Sequence, residues 1–345
     1  MMITVIIPVY NGKKYLRNAI SSVQEQTYKN IEIIVIDDGS TDGLTIDYIT
    51  KINSKIVFYS KSNEGLGLTR NFGIHKANGK YIFFLDVDDT LPKNAIELLY
   101  TAIKNNDIAI GQSERVFYNN NQIECSRSIW KEKIADRIKN KYILVLDTIS
   151  TNKLYRKDFL VENNIYFEKG LYEDKLFVLK LLENTKKYTY INKIVYYWRV
   201  EHNNNSISSS RSINNLKSRM NIIYDCIEYT KDNKMKQVLI ENTIKHDLKI
   251  YVNYSYNYNL YDLLRLYNIY FEFITKYKIF IENLNFKKNK EIMYTINNRY
   301  HTIYEFLKNS EIKEKKNYTL PIVEFFCKLE LLKIKIIKKL NLIKN

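Results

Sequence analysis

The sequence predicts an α/β protein with a mostly parallel sheet flanked by helices, followed by a helical C-terminal region. In the first 115 residues, short apolar runs typical of strands buried on both faces alternate with segments of helical periodicity. Only three prolines occur, Pro8, Pro92 and Pro321. Because proline is the strongest helix breaker, the helices predicted for the second half of the chain can run without interruption over long stretches.

Four strands are predicted in the first hundred residues, at 4–8, 31–36, 56–59 and 81–85, with helices at 13–26 and 66–77. Strands connected by helices pair in parallel, so their carboxyl ends meet at one edge of the sheet, where ligands bind. Polar residues follow each of these ends: Tyr10 and Asn11, Asp37 and Asp38, Asn63 and Arg70, Asp86 and Asp88. We expect these four clusters to converge in one site.

The fourth strand ends in three carboxylates within four positions, Asp86, Asp88 and Asp89. Asp86 and Asp88 are two residues apart, so they point to the same side of an extended segment. Such hard oxygen donors suit Mg²⁺ or Mn²⁺, which could bridge the protein and a diphosphate. If Asp86 and Asp88 stood alone, a solvent-exposed acidic turn without a bound metal would explain them equally well. The convergence of four polar clusters favours a nucleotide site.

The glycines Gly65 and Gly67 precede the helix predicted at 66–77. A dinucleotide-binding fingerprint requires a third glycine where Arg70 stands, and it follows the first strand rather than the third. The pattern therefore argues against a Rossmann cofactor site. Backbone N–H groups at a helix start, together with Arg70, could still hold a diphosphate.

Four segments, at 5–11, 37–42, 63–73 and 85–89, closely resemble in order and spacing the motifs of the inverting family 2 glycosyltransferases, which have the GT-A fold. The resemblance is strong over 1–115 and thinner to 210. It implies a catalytic domain at 1–210, with a nucleotide-binding half (1–115) and an acceptor-side half (116–210). A helical region would then occupy 211–345.

The resemblance implies a nucleoside pocket at the first two strand ends. Pro8 and Tyr10 match the edge of that pocket, with the aromatic ring against the base. Asp38 matches an aspartate that hydrogen-bonds uracil, and Asp37 is its neighbour. A carboxylate that accepts an N–H from uracil disfavours cytosine, which has an acceptor there. The resemblance therefore implies a UDP-sugar as the donor.

The resemblance also implies the groups around the diphosphate. Arg70 matches a residue near the diphosphate and donor sugar, and Asp86 matches the ribose and sugar contact. Asp88 matches the metal ligand of the family's Asp-x-Asp motif, so the implied cofactor is Mn²⁺ or Mg²⁺ with Asp86 beside it. Arg199 could pair with a phosphate, and His202 could complete the metal sphere or remain a surface residue.

Glu173 and Asp174 begin a predicted amphipathic helix. Acidic residues favour helix N-termini through capping and the helix dipole, which alone would explain the pair. The resemblance implies instead that the pair is the family's base motif, with Asp174 as the general base and Glu173 as a substrate-binding residue. Asp174 would take the proton of the acceptor hydroxyl as the oxygen attacks the anomeric carbon, while the metal neutralises the departing diphosphate.

The net charge of +16, from 54 basic and 38 acidic residues, suits a phosphate-rich ligand, an anionic membrane or nucleic acid. A basic nucleic-acid-binding protein is one alternative, but carboxylates at the strand ends would repel a phosphate backbone, so we predict no nucleic-acid partner. A nucleotidyltransferase is another. That class usually has a glycine- and lysine-rich loop near the N-terminus, which residues 8–11 do not resemble.

The segment 321–345 has apolar residues every three or four positions with lysines between them. This pattern predicts a basic amphipathic helix. Such a helix could lie on the inner face of the cytoplasmic membrane, or it could pack on its own domain or on a dimer partner. The N-terminus lacks the pattern of a signal peptide and the three cysteines are far apart, so we expect a cytoplasmic protein. The expected acceptor is a glycan or lipid-linked glycan precursor of a surface polysaccharide, such as capsule or lipopolysaccharide.

Overall fold

The computed structural model describes residues 1–119, 122–128, 140–201, 211–254, 257–258 and 260–277. Eight strands in these ranges form one sheet: β1 (Ile3–Val9), β2 (Ile31–Asp37), β3 (Val57–Ser60), β4 (Tyr81–Phe84), β5 (Ile108–Asn119), β6 (Gln122–Ser128), β7 (Lys153–Arg156) and β8 (Tyr188–Glu201). Their order is β3-β2-β1-β4-β7-β5-β6, and β8 pairs with β5.

The parallel half of the sheet consists of β3, β2, β1 and β4, as the alternation of strands and helices predicts. All seven residues of β1 are buried. Successive side chains of a strand point to opposite faces, and here Ile6 and Phe84 enter one apolar cluster while Val5 and Phe83 enter the other. Both faces are therefore covered, which explains the continuous apolar runs.

Helices cover the two faces of the sheet. In the first half they are α1 (Lys13–Gln24), α2 (Ile46–Ile52), α3 (Leu66–Lys76) and α4 (Ala95–Ile103). Helix α3 lies against β1, and a Cβ at Gly73 would come within 2.5 Å of the Ile6 side chain. The absence of a side chain at Gly73 thus allows α3 to approach the sheet closely. Arg70 lies on the same helix, so this approach also determines the position of Arg70.

The acceptor-side half departs from simple alternation. Strand β7 runs antiparallel between β4 and β5, and β5 pairs along one edge with β7 and β6 and along the other with β8. The polar composition of 119–150 predicts an irregular loop, but β6 pairs antiparallel with β5 there, because backbone ladder bonds can hold a polar strand. The described residues of this half also contain three helices: α5 (Lys141–Leu144), α6 (Lys157–Glu162) and α7 (Glu173–Asn184).

The described part of the C-terminal region is helical, as predicted. It contains α8 (Ile213–Tyr229), α9 (Asn233–Asn242), a π-helix π1 (Thr243–Leu248), α10 (Lys249–Tyr254) and α11 (Leu260–Lys276). Ile222, Cys226 and Met235 enter the same apolar cluster as Phe177 and Leu181 of α7. Among the helices within the described ranges, none combines the length and apolarity that a membrane span requires. The segment 321–345 lies outside the described residues and stays a prediction.

Candidate active site

Asp37 ends β2 and closes the turn that follows it. Its carboxylate accepts hydrogen bonds from the Ser40 N–H (2.9 Å) and the Ser60 hydroxyl (3.0 Å), which joins β2 to the end of β3. The next residue, Asp38, donates its N–H to the Val9 carbonyl at 2.8 Å. The ends of β1, β2 and β3 are therefore held together at one edge of the sheet.

Asp38 is buried and anchors the start of α3. Its carboxylate is bonded by the Lys61 ammonium and by the N–H groups of Glu64 (3.0 Å) and Gly65 (2.9 Å). Burial alone would raise the pKa of Asp38, but these hydrogen bonds outweigh it and lower the pKa. The carboxylate therefore carries a fixed negative charge, and its role as a uracil contact stays a prediction.

Arg70 joins carboxylates from two distant parts of the chain. One terminal nitrogen lies 2.7 Å from an Asp86 oxygen, and the other lies 3.0 Å from Glu173 and 2.9 Å from Asp174. The Arg70 side chain is 1% exposed, whereas Asp86 and Asp174 remain 32% and 28% exposed. The buried guanidinium thus contacts all three carboxylates, and two of them, Asp86 and Asp174, remain partly accessible to solvent.

Burial and like charge raise the pKa of the carboxylates on this side. Burial first, then the neighbouring Asp174, raise the pKa of Glu173 to about 7 despite Arg70. Burial also raises the pKa of Asp174, against the opposing effect of Arg70, and Asp86 adds to the rise. The Asp174 carboxylate is therefore more basic than a free aspartate.

Glycines allow α3 to bring Arg70 to these groups. Gly65, before the helix, has φ of +97°, a conformation that L side chains rarely adopt. A Cβ at Gly67 would lie 2.7 Å from the Glu168 carbonyl oxygen and 3.0 Å from Glu173 Cγ. Close packing against the segment before α7 thus accounts for Gly67 without any diphosphate.

The turn after β4 is fixed by a buried carboxylate that the sequence reasoning did not use. Asp89 is 4% exposed and accepts hydrogen bonds from the Tyr196 hydroxyl (2.5 Å) and the Arg199 N–H (2.7 Å). The Tyr196 oxygen in turn accepts the Asp86 N–H at 3.3 Å. Burial, then Asp88 and Asp86, raise the pKa of Asp89 well above its ordinary value.

The remaining predicted residues surround this edge. Pro8 is buried in β1, and Tyr10 beyond it is 56% exposed. The Arg199 guanidinium lies 3.8 Å from the ring centre of Tyr118 and 5.1 Å from that of Tyr15. His202 lies outside the described residues.

The structure therefore brings Arg70, Asp86, Glu173 and Asp174 into direct contact, and holds Asp37 and Asp38 at the same sheet edge. Sequence reasoning missed two positioning groups, Asp89 and Tyr196. The third carboxylate after β4 was a signal for Asp89. Tyr196 lies 107 residues from it, in an aromatic run that carries no local sign of such a contact.

Comparison with known proteins identifies the family. The model of glycosyl transferase family 2 matches residues 4–162. The glycosyltransferase GlyG of Streptococcus pneumoniae serotype 4 is 31% identical over 214 residues, covering 57% of this chain and 70% of GlyG. The chain belongs to glycosyl transferase family 2. GlyA of the same organism is 34% identical over 217 residues, and the match spans only 30% of the length of GlyA.

A solved structure shares the fold. The crystal structure of Staphylococcus aureus TarS 1–349 in complex with UDP-GlcNAc matches with a TM-score of 0.62 and 24% identity, over 79% of this chain and 81% of that one. The family 2 assignment and this architecture confirm the predicted GT-A fold. TarS from strain MW2 is a poly(ribitol-phosphate) beta-N-acetylglucosaminyltransferase, 28% identical over 219 residues that span 37% of its length.

Proposed function

We propose that this protein is an inverting glycosyltransferase that moves a sugar from a UDP-sugar to a hydroxyl of a glycan or lipid-linked glycan precursor in surface-polysaccharide synthesis. The observation that carries the proposal is the Arg70 cluster. It joins Asp86, at the end of a nucleotide-side strand, to Asp174, at the start of α7. Asp86, on the side proposed for the donor, and Asp174, the proposed base, are thus held close together by one guanidinium, and both are partly exposed.

Asp174 acts as the general base in this proposal. The acceptor hydroxyl oxygen attacks the anomeric carbon, its proton passes to the Asp174 carboxylate, and the bond from that carbon to UDP breaks. One displacement inverts the configuration at the anomeric carbon. A base works best when its pKa approaches the working pH, and the raised pKa of Asp174 moves it in that direction.

The residues present fit a divalent cation. Within the described ranges, no group of three His, Cys, Asp or Glu residues could hold a metal ion. Mg²⁺ and similar ions, however, commonly use one or two carboxylates together with substrate phosphates and water. Asp88 and Asp86 would supply these oxygens, and Asp86 stays 32% exposed although it contacts Arg70. When bound, the ion would neutralise charge on the diphosphate.

The donor nucleotide would bind at the ends of β1 and β2. The exposed Tyr10 ring is available to stack on a base, with Pro8 and the Asp37–Asp38 turn beside it. Arg199, close to the turn after β4, is the proposed phosphate partner. UDP as the nucleotide is supported by TarS, which was solved with UDP-GlcNAc.

Membrane contact through 321–345 is part of the proposal, because a lipid-linked acceptor would lie at the inner leaflet. Flotation with anionic liposomes, comparing the full chain with one that lacks 321–345, tests it. The proposal expects the truncated chain to lose binding. Equal flotation of the two proteins would remove the segment as an anchor.

A donor screen tests the proposed activity. UDP release would be measured from UDP-glucose, UDP-galactose and their N-acetyl forms, with Mn²⁺ and after chelation. We expect metal-dependent release from at least one donor, and loss of that release in Asp88→Ala. Release that is equal in Asp88→Ala, or no release from any UDP-sugar, would contradict the proposal.

A further inference from the structure

The helix that carries the proposed base begins at a residue in an uncommon conformation. Tyr172, which precedes Glu173, has φ of +64°, in the left-handed region that residues other than glycine rarely occupy. Such backbone strain persists only where the surroundings hold the residue in place. Here the holding contacts come from the C-terminal helices.

Helix α8 holds the Tyr172 side chain from two directions. The Tyr172 hydroxyl donates to the Asn215 amide oxygen at 2.6 Å. The Arg219 guanidinium lies 4.4 Å from the centre of the Tyr172 ring, a cation–π distance. Both partners lie on α8, so one rigid element fixes both the tip and the face of this ring.

The π-helix π1 holds the other side of the same turn. Asp247, which is 4% exposed, lies 2.8 Å from Arg219 and 3.5 Å from the ammonium of Lys175. Lys175 is the residue directly after Asp174. Short π-helical segments often mark functional sites, and this one brings a buried carboxylate to the start of α7.

We infer that Arg219 and Asp247 are positioning residues for Asp174, because they hold the residues on both sides of it, Tyr172 and Lys175. The inference rests on the proposed function, in which Asp174 is the base. Both positioning residues lie beyond residues 4–162, the part that the family model matches. In this account the C-terminal helices contribute to catalysis by fixing the geometry of the base.

The network separates catalysis from donor binding. Its contacts reach the first turn of α7, whereas the nucleotide side is built from the ends of β1, β2 and β4. Displacing a reacting group by about 1 Å can cost roughly 100-fold in rate. Loss of the network should therefore lower kcat and leave the KM for the donor unchanged.

The test uses the full chain with three substitutions. Arg219→Met removes the central cation, and Tyr172→Phe removes the hydroxyl and with it the bond to Asn215 but keeps the ring. The matched control is Lys276→Met, which breaks an exposed pair with Glu228 (2.7 Å) in the same helical region. Steady-state kinetics with the active UDP-sugar, UDP binding and amide hydrogen exchange are measured for each.

We expect kcat to fall about 10- to 100-fold in Arg219→Met and roughly threefold in Tyr172→Phe, with donor KM within about twofold of wild type. Hydrogen exchange should accelerate at 172–176 and stay unchanged at 36–40. Lys276→Met should match wild type. If thermal unfolding shows that Arg219→Met does not fold, Tyr172→Phe alone decides.

Wild-type kcat in both Arg219→Met and Tyr172→Phe, or a KM that rises as much as kcat falls, would overturn the inference. An inactive wild-type chain would instead contradict the proposed function. Hydrogen exchange then decides the positioning claim by itself, because unchanged exchange at 172–176 in Arg219→Met would overturn it without any turnover.

Discussion

Two regions of the site differ in how their carboxylates are neutralised: Asp38 after β2, on the nucleotide side, and Glu173 with Asp174 at the start of α7, the base side. On the nucleotide side, an ammonium and backbone N–H groups bond Asp38 and lower its pKa. On the base side, burial and mutual repulsion raise the pKa of Glu173 and Asp174, although Arg70 contacts both. The same kind of side chain thus has a lowered pKa in one place and a raised pKa in the other.

This difference follows from where the hydrogen-bond donors lie. Asp38 faces the start of α3, where N–H groups have no intrahelical partner, so it gains several donors. Glu173 and Asp174 are adjacent and share one guanidinium nitrogen. A fixed charge suits the organisation of a binding turn, and a shared, incomplete neutralisation suits proton transfer.

The largest effect is expected from Asp174→Asn. Loss of a general base lowers the rate about 100- to 10,000-fold, so transfer should fall by that factor while UDP still binds. The control is Asp158→Asn, since Asp158 is an exposed aspartate in the first turn of α6 and can act only on its helix. Turnover assays on both variants make the comparison. Full activity in Asp174→Asn would remove the residue from the mechanism.

The next largest effect is on stability, in Arg70→Met. Removing a buried cation leaves three carboxylates without it, and breaking buried pairs typically costs about 3–5 kcal/mol in the free energy of unfolding. Exposed Arg115→Met, which loses only a contact to the Trp198 ring, should cost less than about 1 kcal/mol. Urea unfolding measures both. A similar loss in the two variants would mean that Arg70 does not hold the base side together.

The raised pKa of Glu173 predicts a pH dependence of stability. Between its ordinary value of 4.5 and about 7, the folded protein keeps a proton on Glu173 that the unfolded chain has lost. The free energy of unfolding should therefore fall as pH rises through this window, by about 3 kcal/mol at most. Glu173→Gln should lack this slope. A wild-type-minus-variant difference that is flat or rises with pH would contradict the assignment.

The smallest effect distinguishes two buried tyrosines. Tyr196 donates to Asp89 beside the Asp86 turn, whereas Tyr155 donates to the Ser150 carbonyl at 2.6 Å. Each Phe variant should lose about 1–3 kcal/mol of stability. Only Tyr196→Phe should also require more Mn²⁺ for half-maximal turnover. Equal metal dependence in the two variants would show that Tyr196 does not position the turn.

The nucleotide side could largely be predicted from the sequence because its elements are local. Each parallel strand is an apolar run that ends in turn residues, and the polar clusters follow directly. The convergence of Asp37 with the end of β1 then follows from parallel pairing alone. The family resemblance gave proposed roles to these residues, and the structure places them at one edge.

The base side could not be predicted in the same way because its contacts are distant in the chain. Arg70 and Glu173 are 103 residues apart, so no local pattern indicates that the guanidinium is buried between carboxylates rather than open to a diphosphate. The antiparallel insertion of β7 and the π-helical turn that places Asp247 likewise depend on tertiary packing.

Calorimetry of UDP binding tests most directly the claim that Asp86 and Asp88, after β4, hold a nucleotide through a divalent cation. With Mn²⁺ present, we predict that the wild-type protein and Asp174→Asn bind UDP with similar affinity, and that Asp88→Ala does not bind. Chelation should abolish UDP binding by both the wild-type protein and Asp174→Asn. Absence of UDP binding by the wild-type protein with Mn²⁺, or undiminished Mn²⁺-dependent binding by Asp88→Ala, would contradict the account.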